Sequence, residues 1–148
     1  MNNLYNSVNE LKLRVLLLLS ETPIYPLSED MILAIDFISV YGKDFGISDD
    51  NLHGDNSYKY SELPSRKEVL DKTIKCLFLE GLINLDTKKG YRYQISDSGL
   101  NYISLLDDDY AEEYRNLIMD FFSIYRDYSV NELLKLIQAK SLVNSWEV

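Results

Sequence analysis

The sequence has 148 residues, of which 46% are hydrophobic and 26% are charged. This balance is typical of one folded domain and excludes a disordered or low-complexity chain. The formal net charge of −9 excludes a uniformly basic nucleic-acid coat protein, and the single cysteine and single histidine exclude an internal disulfide and a multi-histidine metal site. Unbroken apolar runs reach five residues, far short of the ~20 in a membrane-spanning helix. Because no signal-peptide pattern is visible, we expect a cytoplasmic protein.

The N-terminal part predicts two helices separated by an extended connector. Apolar residues recur every three or four positions over residues 4–20, and Asn2 or Asn3 is the expected N-cap of that helix. Two prolines within residues 22–27 are incompatible with a continuing helix. Ser28 is the expected cap of the second helix, because acidic residues follow it where the helix dipole favours negative charge.

Residues 43–62 predict a long polar loop, of a length that is usually functional or mobile. The single histidine, His53, lies within it, near Asp49, Asp50 and Asp55. These residue types could form a metal site or an acid–base pair, but a metal site requires three or four ligands at fixed geometry. We therefore favour a hydrogen-bonding role for His53.

The next segment predicts a helix, a β-hairpin and a further helix. The apolar stripe of the first helix covers about residues 64–81 and ends at a glycine. Residues 82–86 and 91–95 then alternate as two strands around a polar turn. Ser96 is the expected cap of the following helix.

The resulting fold class is α+β and mostly α. The order of elements predicts a winged-helix-like domain over residues 1–106, followed by a C-terminal helical extension over residues 107–148. Within the extension, residues 110–128 form one helix, and Ser129 with Glu132 forms a capping box that starts another, ending near residue 139.

The charge distribution singles out one segment. Residues 59–92 carry a net charge of +3, whereas residues 1–58 and 93–148 each carry −6. The positive segment contains the third helix and the hairpin, which are the elements that contact duplex DNA in winged-helix proteins. The predicted nucleic-acid contacts are its basic side chains, Lys59, Arg66, Lys67, Lys72, Lys75, Lys88, Lys89 and Arg92. Because affinity depends on the number of phosphates neutralised, we expect the chain alone to bind DNA weakly.

The sequence contains no complete catalytic motif. The run from Asp86 to Lys88 matches half of a nuclease motif but lacks the second metal-binding acid. The acidic run 107–109 lacks the spacing and glycine of a calcium loop. Cys76 falls near the buried stripe of a helix, as core cysteines do. We therefore expect no catalytic activity, no metal and no cofactor.

The C-terminal extension predicts a partner-binding surface. Its apolar face exceeds what a winged-helix core requires, and a tryptophan near the end of the chain could serve as an anchor in a partner's pocket. The predicted interface residues are Tyr114, Leu117, Phe121, Phe122 and Trp146. The alternative is that Trp146 folds back onto its own domain.

Three segments of the chain match a known bacterial pattern: LYNSVNELKLRVLLLL, PLSEDMILAIDFISVYGKDFG and LHGDNSYKYSELPSRKEVLDKTIKCLFLEGLINL. The matching residues are Leu4, Tyr5, Asn6, Asp36, Asp44, Leu52, His53, Tyr58, Glu62, Leu63, Gly81 and Leu82, of which Leu52, His53, Tyr58 and Glu62 form a motif loop. On these residues the chain resembles, over about residues 4–105, the middle component of ABC three-component systems, of which Lamassu is an antiphage type. It differs at Gly54, Lys59, Ser61 and Lys67, where the family has Pro, Arg, Gly and Arg.

This resemblance implies a non-catalytic scaffold or regulatory subunit of an antiphage defence complex. Its partners would be an SMC-like ABC ATPase and an effector, which we expect to be a nuclease. The alternative is a stand-alone winged-helix transcription regulator that dimerises through the C-terminal helices and binds DNA with the face from Arg66 to Lys75. A third hypothesis, an enzyme that uses His53, lacks a recognisable motif.

Overall fold

Six helices and three strands are present in this computed structural model, which describes residues 7–54 and 58–146 and the side chains as far as residue 143. The helices are α1 (Val8–Ser20), α2 (Glu29–Val40), α3 (Leu63–Leu79), α4 (Asp97–Ser104), α5 (Asp109–Tyr125) and α6 (Val130–Trp146). The strands are β1 (Leu27–Ser28), β2 (Ile83–Asp86) and β3 (Arg92–Ile95). None of the helices within these ranges is long and apolar enough to cross a membrane.

Side-chain caps account for most of the helix starts. The capping oxygens, each accepting the backbone N–H three residues later, belong to Ser7, Ser28, Ser96 and Asp108. At α6 the backbone N–H of Glu132 donates to Ser129 Oγ at 3.1 Å, and the Ser129 N–H donates to Glu132 Oε1 at 3.0 Å. The predicted capping box is therefore confirmed. Asn2 and Asn3, the caps predicted for α1, lie outside the described residues, among which Ser7 is the N-cap of that helix.

The sheet is antiparallel with the strand order β1-β3-β2. Strands β2 and β3 form the predicted hairpin, in which Ile83 lies opposite Ile95. Strand β1 lies at the end of the predicted connector and pairs Leu27 with Tyr93. A two-residue strand contains no periodic pattern, so the sequence indicates only its extended conformation. The winged-helix assignment of this core remains a prediction.

Helices α1 and α2 form the centre of the molecule. The run Val15–Leu19 is buried, as is every residue from Ile32 to Val40. A helix that is apolar on all sides must be covered by other elements. Helices α3 and α4 pack on α1, α5 packs on both α1 and α2, and α6 packs on α2. The C-terminal helices thus share one hydrophobic core with the preceding elements.

This packing corrects the predicted partner surface on α5. Tyr114 and Phe121 are completely buried and Leu117 is 7% exposed, so these side chains belong to the core and not to an interface. Their apolar face covers the central helices α1 and α2. Phe122 is half-buried, and the side chain of Trp146 lies outside the described residues.

The C-terminal helix is longer than predicted. Helix α6 continues as far as Trp146 instead of ending near residue 139. The capping box gives its start, but no glycine or proline after residue 139 marks its end.

Candidate functional site

Asp36 on α2 is the centre of a buried polar cluster. Arg14 of α1 donates from Nε to Asp36 Oδ1 at 2.9 Å and from Nη2 to Oδ2 at 3.4 Å. Arg66 of α3 donates from Nη1 to Oδ2 at 3.3 Å, and the Tyr114 hydroxyl of α5 donates to Oδ1 at 2.7 Å. Side chains from four helices therefore meet at one carboxylate; we refer to these four residues as the Asp36 cluster.

The cluster combines a charged carboxylate with a neutral phenol. Burial alone would raise the pKa of Asp36, but the guanidinium groups of Arg14 and Arg66 hold it below its ordinary value. Burial, followed by the charge of Asp36, raises the pKa of Tyr114 well above its ordinary value. Tyr114 therefore remains a hydrogen-bond donor, and Asp36 remains an acceptor for both arginines.

His53 is connected to this cluster through Tyr110 at the start of α5. His53 Nε2 lies 2.7 Å from the Tyr110 hydroxyl, and the two rings are nearly parallel, 7° apart. Tyr110 in turn interacts with Arg14. Burial, with a smaller contribution from the charge of Arg14, lowers the pKa of His53 to about 3. His53 is therefore a neutral, hydrogen-bonded residue, which confirms the favoured interpretation.

We expect this buried histidine to make stability depend on pH. Because the folded pKa of about 3 lies below the ordinary value of 6.5, the unfolded chain binds a proton that the folded chain does not. Stability should fall as the pH decreases from 6.5 towards 3, by about 2 kcal/mol between pH 7 and pH 5. Urea unfolding at both pH values measures this loss. A His53→Gln variant should lack this contribution, whereas an equal loss in the variant would contradict the assignment.

Asp44 is the shared acceptor of a second polar cluster, which lies in the predicted loop. Lys59 Nζ lies 2.8 Å from Asp44 Oδ2, and the Tyr60 hydroxyl donates to the same oxygen at 3.2 Å. Asn51 connects this carboxylate to the backbone. Its Nδ2 donates to Asp44 Oδ1 at 3.5 Å, and its Oδ1 accepts the backbone N–H of Lys43 at 3.0 Å. The described part of the loop contains no helix or strand, as predicted, and partly buried polar contacts connect its residues.

The structure changes the set of predicted nucleic-acid contacts. Lys59 is 7% exposed and paired with the partly buried Asp44, and Arg66 is 4% exposed and paired with the buried Asp36, so, contrary to the prediction, neither side chain belongs to an exposed basic surface. Lys67 and Lys75 are exposed but lie 3.6 Å from Asp30 and 2.9 Å from Asp71. The remaining predicted contacts are Lys72, Lys88 and Lys89, which are exposed, and Arg92, which is partly buried.

The motif-loop residues are half-buried or exposed, and Asp49 and Asp50 near them are exposed. Leu52 and Glu62 are half-buried and Tyr58 is exposed. Among the residues that the structure describes, no group of three or more His, Cys, Asp or Glu side chains is positioned to hold a metal ion. Asp55, which was considered with His53, lies outside those residues.

An apolar groove lies between the segment 21–27 and α5, which we call the α5 groove. Its volume is about 590 Å³, and it is lined by Glu21, Thr22, Tyr25, Leu27, Met31, Met119, Phe122 and Arg126. Tyr25 is 65% exposed and Met119 is 56% exposed. Exposed apolar residues around a concave surface are typical of binding sites. Sequence reasoning missed Tyr25 and Met119 because isolated apolar residues in a connector or on an outer helix face give no periodic signal.

Comparison with known proteins gives one family match. The sequence model of the ABC-three component (ABC-3C) system Middle Component 2 family matches residues 4–147. This range includes the C-terminal helices, which the resemblance over residues 4–105 did not. No curated protein and no solved structure gives a significant match.

Proposed function

The chain belongs to the Middle Component 2 family of ABC three-component systems, and from this we propose that it is a non-catalytic scaffold or regulatory subunit of a bacterial antiphage defence complex. Its partners in this proposal are an SMC-like ABC ATPase and an effector, which we expect to be a nuclease. The observation that supports the proposal most is the family match from residue 4 to residue 147, because a middle component is by description one part of a larger system.

The α5 groove is the surface that we assign to a partner component. It brings together exposed apolar side chains from two separate parts of the chain, Tyr25 and Met119, beside the half-buried Phe122. Aromatic and methionine side chains are enriched in protein interfaces. Glu21 and Arg126 also line the groove and supply polar groups of both charges next to its apolar surface. The partner segment that fits is apolar, with charged residues at its edges.

Co-expression with the other components of the same locus tests the proposal. We expect the chain to co-elute with the ATPase and the effector in size-exclusion chromatography, and the chain alone to hydrolyse neither ATP nor nucleic acid. Elution of the chain without either component would contradict the scaffold role. Magnesium-dependent nuclease activity of the chain alone that disappears in an Asp86→Ala variant would contradict the non-catalytic role.

A stand-alone winged-helix regulator is the second candidate. It is supported by the order of elements, in which three helices precede a hairpin with exposed Lys88 and Lys89 at its turn. The burial of Lys59 and Arg66 weakens it, because these side chains are removed from the basic surface.

We expect the isolated chain to bind duplex DNA with a Kd of ~10⁻⁴–10⁻⁶ M at physiological salt, the non-specific range. A Lys88→Glu, Lys89→Glu double variant should bind more weakly and show a shallower dependence on salt, because two phosphate contacts are lost. Its melting temperature should not change, since both side chains are exposed. Fluorescence anisotropy over a salt series measures this effect. Nanomolar, sequence-specific binding to its own promoter would favour the regulator.

A further inference from the structure

A small cavity lies at the Asp36 cluster, between α1, α2 and α3. Its volume is about 10 Å³, which is enough for one water molecule. Cavities that stay empty in proteins have apolar walls, whereas the walls of this one include charged side chains. The lining residues are Leu11, Arg14, Leu33, Asp36, Arg66 and Leu70. The composition of the walls therefore favours a polar occupant.

The guanidinium group of Arg66 carries buried donors that lack an acceptor. Its Nη1 donates to Asp36 Oδ2, but Nε and Nη2 have no hydrogen-bond partner among the residues that the structure describes. Its carbon lies 5.6 Å from the Phe37 ring centroid and 5.4 Å from that of Tyr41. An aromatic face attracts the cation but does not accept these N–H bonds in the guanidinium plane. Because buried N–H groups are normally paired, an acceptor in the cavity that Arg66 lines would satisfy them.

The carboxylate of Asp36 has one oxygen that is less well satisfied than the other. Oδ1 accepts short hydrogen bonds from Arg14 Nε at 2.9 Å and from the Tyr114 hydroxyl at 2.7 Å. The bonds to Oδ2 are longer, 3.4 Å from Arg14 Nη2 and 3.3 Å from Arg66 Nη1. Both exceed the ~2.7–3.2 Å of a well-formed N–H···O bond. Oδ2 can therefore accept a further hydrogen bond from the occupant of the cavity.

These walls favour an occupant that both accepts and donates. A halide ion would accept from Arg66, but it cannot donate to Asp36, and its charge would repel that carboxylate. Phosphate and carboxylate ions are too large for the cavity. We propose that one water molecule is a fifth member of the Asp36 cluster, accepting from Nε or Nη2 of Arg66 and donating to Asp36 Oδ2. It adds a water-mediated contact between α2 and α3, where the direct hydrogen bond is long.

Diffraction from crystals of the wild-type chain grown in sodium bromide tests the proposal directly. We expect an electron-density peak in the cavity about 2.7–3.2 Å from Nε or Nη2 of Arg66, without an anomalous bromide signal. A bromide signal at this position would identify an anion, and a cavity without density would show that the Arg66 donors remain unpaired. Either result would overturn the proposal.

Magnetic relaxation dispersion of the water oxygen tests the same site in solution, because it counts the water molecules that exchange slowly. Leu33→Met should displace the water, since the unbranched side chain can extend into the cavity that Leu33 lines. Leu16→Met is the matched control, because Leu16 is buried in the same core but does not line the cavity. We expect the wild type and Leu16→Met to hold one more long-lived water molecule than Leu33→Met. An unchanged number in Leu33→Met, with the methionine seen to fill the cavity, would contradict the assignment.

Discussion

Replacing Asp36 with asparagine is expected to lower the free energy of unfolding by about 3–5 kcal/mol. The substitution keeps the size of the side chain but removes the negative charge that pairs Arg14 and Arg66, both of which are buried. Two buried guanidinium groups would then lose the counter-charge that Asp36 supplies, and one oxygen acceptor would become a donor. Denaturant unfolding at neutral pH, with the midpoint and slope compared with wild type, measures the loss.

Asp120→Asn is the matched control for this variant. Asp120 is exposed on α5, and the same chemical change at a surface position should alter stability by no more than about 0.5 kcal/mol. If Asp36→Asn were as mild as Asp120→Asn, the buried cluster would not be a principal stabilising element of the fold.

Phe121→Ala is expected to cost about 3–5 kcal/mol, because Phe121 is fully buried among residues of the core and its removal leaves a cavity. Met119→Ala, two positions earlier on the same helix, should cost less than about 1 kcal/mol since Met119 is 56% exposed. Paired measurement of the two variants establishes which face of α5 is inside. A larger loss for Met119→Ala would contradict the packing and restore the original partner surface of Tyr114, Leu117 and Phe121.

The sequence was sufficient to predict the order of the six described helices and of the β2–β3 hairpin. Local signals account for this success: the serine caps, the prolines of the connector and the turn between β2 and β3 each act within a few residues. What was missed has no local signal. Strand β1 exists because two residues of the connector reach β3, about 65 positions later in the chain. The end of α6 is likewise not marked by glycine or proline.

The burial of Arg66 shows a second limit of prediction from the sequence. Counting charges placed Arg66 on a basic surface, whereas it pairs with Asp36, 30 positions earlier. Charge counting ignores such long-range partners. Helical spacing does indicate that Arg66 is buried, since it lies four residues before Leu70 and therefore on the buried side of α3. Arg14 likewise lies three residues after Leu11 on α1. A charged residue within an apolar stripe indicates a buried ion pair.

The wide apolar face of α5 was recognised correctly but assigned to the wrong partner. A small winged-helix core would leave Tyr114 and Phe121 uncovered, and the prediction therefore assigned their burial to a partner protein. Helices α1 and α2 are instead apolar on nearly all sides and need α5 and α6 as cover. The apolar face of the extension is therefore needed inside the molecule, and Met119 is an exposed apolar residue of α5 that lines the α5 groove.

The most direct test of the account is the affinity of the chain for the rest of its complex when the α5 groove is altered. Met119→Asp places a charge among the exposed apolar residues of the groove and should weaken binding at least about tenfold, with an unchanged Tm. Asn116→Asp adds the same charge on another exposed part of α5 and should bind as the wild type does. Biolayer interferometry against the other components of the same system, immobilised together, gives both values. Equal affinity of the wild type and Met119→Asp would contradict the assignment of this groove to a partner.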